Sequence, residues 1–357
     1  MFRKCQNKSL YWILALCTFL VCGLLTSVAE AQSEKQLVVV TWGGSYTKAE
    51  REAFYDPFEK ETGVKIIDTT VVGEERYTKL RAQVESGKLE WDIPGNAHPV
   101  SLLRYKAYLE KIDYSIVRNT KDILKDYVKD YYLGGVVGGC VLCYNKKAFP
   151  TGSHPKSWAD FWDVKKFPGR RALSNYGSPE APIAYALLAD GVPPDKLVPF
   201  DYARAFKKLD EIKPYVSVWW TSGAQLQQIM RDEEVVLAAG WDGRVLAVAR
   251  QGFPLGIEWN QGYIEPACWA VVKGAKHKDL AMKFLDYTND PKRQAVMSTI
   301  VPYAPTNVKA FDYLPPGERE NMATFPGNWD RMFRLDPEWL VDHKSEVIEK
   351  WSAWLAK

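Results

Sequence analysis

The sequence predicts an α/β protein of two lobes, with mixed, mainly parallel sheets joined by two crossing strands. Apolar runs that suit buried strands alternate with amphipathic helical segments, which is typical of a parallel sheet covered by helices. Two extended apolar stretches, within 134–145 and 264–272, separate blocks of this alternation and predict the crossings. A chain of 357 residues that is 46% hydrophobic has enough core-forming material for roughly two lobes.

The amino terminus has the pattern of an export signal. Three basic residues precede an apolar run over 11–25, and Ala29-Glu30-Ala31 then offers small residues at both positions that a signal peptidase reads. We predict a cleaved signal over 1–31 and a periplasmic product. A permanent membrane anchor is the alternative, although the run is shorter than the ~18 to 20 residues that a span requires.

The charge balance argues against polyanionic partners. The net charge is +3, of which Arg3, Lys4, Lys8 and Glu30 contribute +2, so the mature chain carries +1. A nearly neutral protein is not attracted strongly to nucleic acid or to an anionic membrane. We therefore expect neither as a partner.

The first block predicts three strands that end in polar turns. The strand over 36–41 stops at Trp42-Gly43-Gly44-Ser45-Tyr46, where paired glycines let the backbone turn sharply and approach a ligand. A helix to Gly63, a strand over 64–72 and a helix over 74–86 follow. A short strand over 89–94 then ends in Gly95-Asn96-Ala97-His98, at the same sheet edge.

The first crossing contains a cysteine pair. Cys140 and Cys143 have the spacing of a redox or metal motif, but they lie in an apolar, strand-like run where residues three apart point to opposite faces. We interpret them as buried and inert. A disulfide that involves Cys268 stays open, because an exported protein meets an oxidising compartment.

The second block continues the alternation. Helices are expected near 157–162, 180–189 and 201–212, and strands near 171–174 and 216–220. Ser222 and Gln225 then fit a capping box. The free amides of a helix start also attract a carboxylate or phosphate, so Ser222 has both a structural and a ligand-binding interpretation.

The segment VVLAAGWDG over 235–243 is the most informative stretch of the chain. A buried strand ends in a Gly-Trp-Asp-Gly turn, and a helix follows over 244–250. Trp241, Asp242 and Arg244 thereby place a flat aromatic ring, an acid and a base at the carboxyl end of a strand, where open sheets hold ligands. We interpret them as a recognition trio, and the alternative is that Trp241 belongs to the core.

The remaining segments complete the division of the chain. The return crossing leads to helices over 279–287 and 292–300 and to the turn Val301-Pro302-Tyr303-Ala304-Pro305-Thr306-Asn307. The predicted domains are lobe one over 32–135 and 268–309, lobe two over 136–267, and a helical carboxyl-terminal wrap over 310–357.

Several of these segments together resemble the periplasmic spermidine/putrescine-binding proteins of ABC importers. The segments are WGGSY with FEKETGVKI, SWADFWD, VVLAAGWDGRVLAVARQGFPLGIEW, and AMKFLDYTNDPKRQ with VPYAPTN. The likeness covers nearly the whole mature chain. It implies the type II periplasmic-binding fold, in which a ligand is trapped between two lobes that close on a hinge.

The resemblance also implies site residues. In polyamine binders, aromatic rings hold the aliphatic chain and ammonium groups while carboxylates neutralise the charge. Carried over by position, the aromatic residues are Trp42, Trp241 and Tyr303. The turn Gly95 to His98 matches the polar turn after the third strand, which implies a ligand contact from Asn96 or His98. Glu180 matches an acid near the start of a lobe-two helix.

One departure from the family pattern suggests a different ligand. The family's Trp-x-Asp on the return strand is Glu265-Pro266-Ala267 here, so the aspartate is missing unless Glu265 replaces it. Asp242 and Arg244 also occupy a turn that is uncharged in polyamine binders. A cavity with an acid and a guanidinium suits a zwitterion, such as an amino acid or ω-amino acid, better than a bare polyamine.

We therefore expect a monomeric receptor without a cofactor, which binds an amine-containing or amino-acid-like solute and docks on the permease subunits of an ABC importer. The predicted ligand-binding residues are Trp42, Gly44, Ser45, Tyr46, Asn96, His98, Glu180, Ser222, Trp241, Asp242, Arg244, Glu265 and Tyr303. The alternatives are a ferric-ion-binding protein that uses Tyr131-Tyr132, an exported enzyme, or a sensing receptor. The four scattered histidines and the lack of GxSxG, Walker and dinucleotide motifs argue against an enzyme.

Overall fold

A computed structural model describes residues 35–357, and the predicted signal over 1–31 lies outside them. Within the described part of the chain, no helix is both long and apolar enough to cross a membrane. The architecture is α/β with parallel and antiparallel strand pairs, as the sequence predicts.

The strands form one small and one large sheet. The small sheet pairs β1 with β2 in parallel, and the large sheet has the order β5-β4-β6-β3-β7 with β8 added to β3. The strands are β1 (Gln36–Thr41), β2 (Lys65–Thr70), β3 (Leu133–Asn145), β4 (Arg171–Ser174), β5 (Val216–Trp220), β6 (Leu237–Trp241), β7 (Leu255–Trp269) and β8 (Ala304–Pro305).

Helices cover both sheets. The α-helices are α1 (Gly44–Glu50), α2 (Asp56–Thr62), α3 (Gly73–Ser86), α4 (Pro99–Arg104), α5 (Trp158–Trp162), α6 (Glu180–Ala189), α7 (Tyr202–Ile212), α8 (Gly223–Arg231), α9 (Asp242–Ala249), α10 (Lys278–Thr288), α11 (Pro291–Ile300), α12 (Pro326–Trp329) and α13 (Pro337–Leu355). Short 3₁₀ helices occupy Lys106–Tyr108, Lys125–Tyr127, Pro194–Lys196, Lys213–Tyr215, Val308–Tyr313 and Arg319–Asn321.

The two crossing strands are β3 and β7. They pair antiparallel from Leu133 opposite Trp269 to Asn145 opposite Leu255, with irregular register near Gly134 and Cys140. Strand β7 is longer than the predicted return crossing, because it begins at Leu255. We call the side that carries β1 and β2 lobe one, and the side that carries β4, β5 and β6 lobe two.

Lobe one differs from the sequence prediction at its third strand. The segment over 89–94 forms a single bridge, between Ile93 and Val39, rather than a strand. The Asp92 carboxylate accepts a hydrogen bond from the backbone amide of Val38 at 3.0 Å. A side chain thus makes one of the contacts that a strand would make through its backbone.

A π-helical turn over Arg51–Tyr55 connects α1 and α2 into one continuous helical segment. Part of its inner face is buried, including Tyr46, Glu50 and Tyr55. Pro57 lies at the start of α2, directly after the π-helical turn, where the α-helical hydrogen-bond ladder is already interrupted. The wider turn before it changes the phase of the helix.

The carboxyl-terminal helix α13 packs on both lobes. Trp351 contacts Trp219 with ring centroids 5.6 Å apart, and Trp354 stacks on Phe206 at 5.8 Å. The helix also reaches lobe one, because Arg104 of α4 donates to the hydroxyl of Ser345 at 3.2 Å.

The three cysteines of the described chain, Cys140, Cys143 and Cys268, are buried free thiols. Burial raises the pKa of each thiol, which disfavours the reactive thiolate. The structure therefore agrees with the interpretation of Cys140 and Cys143 as inert.

Candidate ligand-binding site

A cavity opens between the lobes and is lined from both sides. Eight of the residues predicted from the sequence contribute to its wall: Trp42, Tyr46, His98, Ser222, Trp241, Arg244, Glu265 and Tyr303. Gly44, Ser45, Asn96, Glu180 and Asp242 do not reach the wall, and their positions are given below.

The lobe-one wall is built on Trp42, at the end of β1. Its indole Nε1 donates to the backbone oxygen of Asn96 at 2.9 Å and to the Asn96 side-chain oxygen at 2.8 Å. The Arg76 guanidinium packs on the ring at 4.0 Å. Asn96 is buried and also donates to the Tyr46 hydroxyl at 2.6 Å, so it holds two wall residues in place.

Glu50 lies buried behind this wall. It accepts a hydrogen bond from the Thr41 hydroxyl, and burial raises its pKa to about 8. The carboxyl group is therefore largely protonated and uncharged at neutral pH.

The lobe-two wall contains a carboxylate framed by aromatic rings. Trp241 Nε1 donates to Glu265 Oε2 at 2.5 Å, and the Tyr176 hydroxyl donates to Oε1 of the same group. The Tyr176 ring meets Trp241 edge-on at 4.4 Å and stacks on Trp220 at 4.9 Å. Burial raises the pKa of Glu265 to about 7, although these two hydrogen bonds oppose the rise.

Asp242 follows Trp241 but points beneath the wall. It is 0% exposed, its Oδ1 accepts from the amide of Gly243 at 2.7 Å, and its Oδ2 has no hydrogen-bond partner among the described residues. Burial raises the pKa of its carboxyl group to about 8. Asp242 is thus a mostly uncharged group under the cavity.

Tyr303 lies against two glycines, one in β3 and one at the start of α9. A Cβ atom on Gly138 or on Gly243 would come within 2.8 Å of the Tyr303 ring, so any side chain there would displace it. These close approaches bring the tyrosine after α11 into the same wall as β3 and the start of α9.

Arg244 and Ser45 make a contact across the cleft. Arg244 Nη1 donates to Ser45 Oγ at 2.8 Å, and the guanidinium lies 5.5 Å from the Tyr46 ring. Ser45 in turn donates to Gln227 Oε1 at 3.3 Å. Ser45 therefore joins the lobes instead of lining the cavity, and Gly44 is exposed beside it in the turn.

His98 lines the cavity as a neutral side chain. Its Nδ1 accepts from the amide of Val100 at 3.2 Å, which caps α4. Burial lowers its pKa to about 3, with a smaller effect from the Lys344 charge. The proton therefore resides on Nε2, which is available as a donor.

Glu180 is engaged elsewhere. It is 2% exposed and accepts from Lys344 Nζ at 2.6 Å, so it forms a buried ion pair between α6 and α13. The structure does not bring Glu180 to the cavity wall.

Sequence reasoning missed several wall residues, notably Tyr176 and Ser178 after β4, and Glu74, Tyr77 and Ser101 on lobe one. The signal for the first two was available, because Asn175-Tyr176-Gly177-Ser178 is a polar turn after a buried strand. No such signal marks the residues on α3 and α4, which reach the cavity through helix packing.

The alternative sites gain no support from the structure. The described residues contain no group of three or more His, Cys, Asp or Glu side chains that could hold a metal ion. Tyr131 and Tyr132 lie outside the cavity wall, and Tyr132 is buried. A ferric-ion site at this pair is therefore not supported.

Comparison with known proteins agrees with this architecture. The γ-aminobutyric acid-binding protein of Pseudomonas aeruginosa is 33% identical over 342 residues, which cover 94% of this chain and 95% of the relative. Spermidine/putrescine-binding periplasmic protein 1 of Haemophilus influenzae is 26% identical over 314 residues, 84% of this chain and 83% of the relative. The crystal structure of an ABC transporter substrate-binding protein from Bradyrhizobium japonicum superposes with a TM-score of 0.81 at 38% identity, covering 89% of this chain and 99% of that one.

Residues 53–324 match the family model described as bacterial extracellular solute-binding protein. This match confirms the resemblance seen in the sequence and the two-lobed fold that it implies. The chain belongs to the bacterial extracellular solute-binding protein family.

Proposed function

We propose that the protein captures a small solute with a protonated amine between its lobes and presents it to the permease subunits of an ABC importer. The relatives support this class of solute, because γ-aminobutyric acid, spermidine and putrescine all carry an ammonium group. In this proposal, the protein works in the periplasm after export through the signal over 1–31. It performs no chemistry on the solute.

The observation that carries the proposal is the setting of Glu265. Its carboxylate faces the cavity, and no Lys or Arg of the described chain lies within ion-pair distance of it. Tyr176 and Trp241 fix its two oxygens, but each oxygen retains a further lone pair. An ammonium group is the natural partner for an anion that is framed by aromatic faces.

The aromatic residues complete the amine site. Trp42, Tyr46 and Tyr303 approach from lobe one, while Trp241 and Tyr176 belong to lobe two. Rings on both sides cover the aliphatic part of a solute, so a bound solute contacts both lobes and stabilises the closed form.

Substitution of Glu265 tests the proposal. Calorimetric titration of the native protein with γ-aminobutyrate, putrescine and spermidine should show binding, whereas butyrate, which lacks the amine, should not bind. Glu265→Gln keeps the shape and removes the charge, so the amine affinity should fall at least about 30-fold. An unchanged amine affinity in this variant, or no amine binding by the native protein, would refute the proposal.

The pH dependence provides a second readout of the same group. Because burial raises the pKa of Glu265 to about 7, acidification neutralises the carboxylate in the free protein and should weaken amine binding. The charged groups that also act on Glu265 are Glu180 with its partner Lys344, and Asp242, whose pKa is about 8. The Glu265→Gln variant should lose the pH dependence near pH 7.

A further inference from the structure

Arg244 is a buried cation with unused hydrogen-bonding capacity. Its side chain lines the cavity although the residue is only 3% exposed. Nη1 donates to Ser45, but Nε has no hydrogen-bond partner among the described residues. Buried donors are rarely left unpaired, so this one indicates a missing acceptor.

The start of α8 lies against this guanidinium. A Cβ atom on Gly223 would be 2.7 Å from Arg244 Nε, so only glycine permits the approach. Thr221, Ser222 and Gly223 all line the cavity. Ser222 Oγ accepts from the amide of Gln225 at 3.2 Å, while the amides of Gly223 and Ala224 have no helical carbonyl to bond.

The charge of Arg244 is not neutralised nearby. No carboxylate of the described chain lies within ion-pair distance of its guanidinium. The two buried acids that approach the same region, Asp242 and Glu50, have pKa values of about 8 and are mostly protonated at neutral pH. The positive charge therefore remains available to an anion in the cavity.

Trp241 lies between the guanidinium of Arg244 and the carboxylate of Glu265. Its Nε1 bonds Glu265, while the far edge of its ring, at Cζ3, is 3.2 Å from the Cβ position of Gly223. The negative Glu265 and the positive Arg244 thus lie at opposite edges of one indole ring. A solute whose charges are several carbons apart spans such a gap, whereas the charges of an α-amino acid are too close together.

We propose that Arg244, Ser222 and the amides at the start of α8 form a subsite for the carboxylate end of the solute. The solute then lies along the Trp241 ring, with its ammonium at Glu265 and its carboxylate at Arg244. This inference rests on the proposed function and narrows the solute class to short ω-amino acids.

Four probes of similar size test this polarity by calorimetry. γ-Aminobutyrate has both charges at the ends, α-aminobutyrate has the same atoms with adjacent charges, n-butylamine lacks the carboxylate, and putrescine carries two amines. The native protein should prefer γ-aminobutyrate over each of the other three at least about tenfold. Arg244→Gln should abolish the preference over n-butylamine. The n-butylamine affinity should fall no further than in Ser45→Ala, because both variants remove the contact of Arg244 with Ser45 between the lobes.

Ser45→Ala is the matched control, because it removes the contact of Arg244 with lobe one but keeps the guanidinium. It should lower the affinities for γ-aminobutyrate and n-butylamine by the same factor, so that their ratio stays at the native value. The inference is wrong if Arg244→Gln leaves the ratio unchanged, if Ser45→Ala changes it equally, or if n-butylamine or putrescine binds the native protein as well as γ-aminobutyrate. Failure of the proposed function would look different, because none of the amines would then bind.

Discussion

Trp241 illustrates how a single side chain can belong to a site and still touch the core. Its indole is half-buried, bonds Glu265 and packs edge-on against Tyr176 and Trp220. The exposed part of the ring faces the cavity. The two interpretations offered by the sequence, recognition and core, therefore both describe part of its surroundings.

Trp241→Ala should weaken solute binding by about 1 to 3 kcal/mol, because it removes an aromatic face that contacts the solute and the donor that orients Glu265. The fold should persist, as shown by a cooperative thermal transition, while calorimetry measures the affinity. Trp220→Ala is the matched control: Trp220 is 0% exposed, so its loss should cost about 3 to 5 kcal/mol of stability. If Trp241→Ala lost as much thermal stability as Trp220→Ala, Trp241 would be a core residue.

At the residue scale, the sequence reveals side chains that stand at the ends of strands. Trp42, Trp241 and Tyr303 could be found because they lie in turns that follow apolar runs or carry a family pattern. The orientation of a side chain within such a turn is not encoded locally. Asp242 follows Trp241 directly, yet its carboxyl group is buried beneath the wall. Its surroundings include Tyr303, which packs against β3 and the start of α9 and is distant in sequence.

At the element scale, the helix α13 explains why Glu180 departs from its predicted role. Lys344 extends from α13 into the interior and neutralises Glu180 at the start of α6. The two residues are 164 positions apart in sequence. No local pattern could identify this partner, and without it an acid at a helix start resembles a ligand contact.

Lys344→Ala should destabilise the protein by about 3 to 5 kcal/mol, because Glu180 would remain buried without its counter-charge. Chemical denaturation measures the loss. Lys350→Ala on the same helix is the control; its side chain is 44% exposed and lies 3.8 Å from Glu346, so the change should be below about 1 kcal/mol. Unchanged stability of Lys344→Ala together with altered solute affinity would instead support a ligand-binding role for Glu180.

The alternation of elements was predictable from apolar periodicity, whereas their internal irregularities were not. The crossing strand β3 and the strand β6 follow from long apolar runs. The segment over 89–94 is shorter and alternates apolar with acidic residues. It forms only a bridge at Ile93, and the Asp92 carboxylate takes the place of one backbone contact to β1. No pattern of apolar residues predicts the π-helical turn over Arg51–Tyr55.

At the scale of the whole molecule, the two crossing strands and the contacts across the cleft define how the lobes are joined. We retain the division into 32–135 with 268–309, 136–267, and 310–357 as a proposal for the moving units. Opening along this division would break the Ser45 contacts to Arg244 and Gln227. A solute that touches both walls would oppose that opening.

The sequence alone could predict two lobes because both crossings are extended and apolar, and the first is punctuated by glycines. It could not predict which groups meet when the lobes approach each other, since those contacts depend on the geometry of the whole chain. The approach of Ser45 on α1 to α8 and α9 is an example, because the residues concerned are 182 and 199 positions apart.

Small-angle X-ray scattering of the exported protein shows directly whether the lobes close on a solute between them. The radius of gyration should decrease when γ-aminobutyrate is added to saturation. At a solute concentration near the native dissociation constant, the decrease should be smaller in Trp241→Ala, because the variant binds the solute more weakly. A radius of gyration that stays constant while calorimetry shows full occupancy would rule out closure, because the solute would then bind without drawing the lobes together.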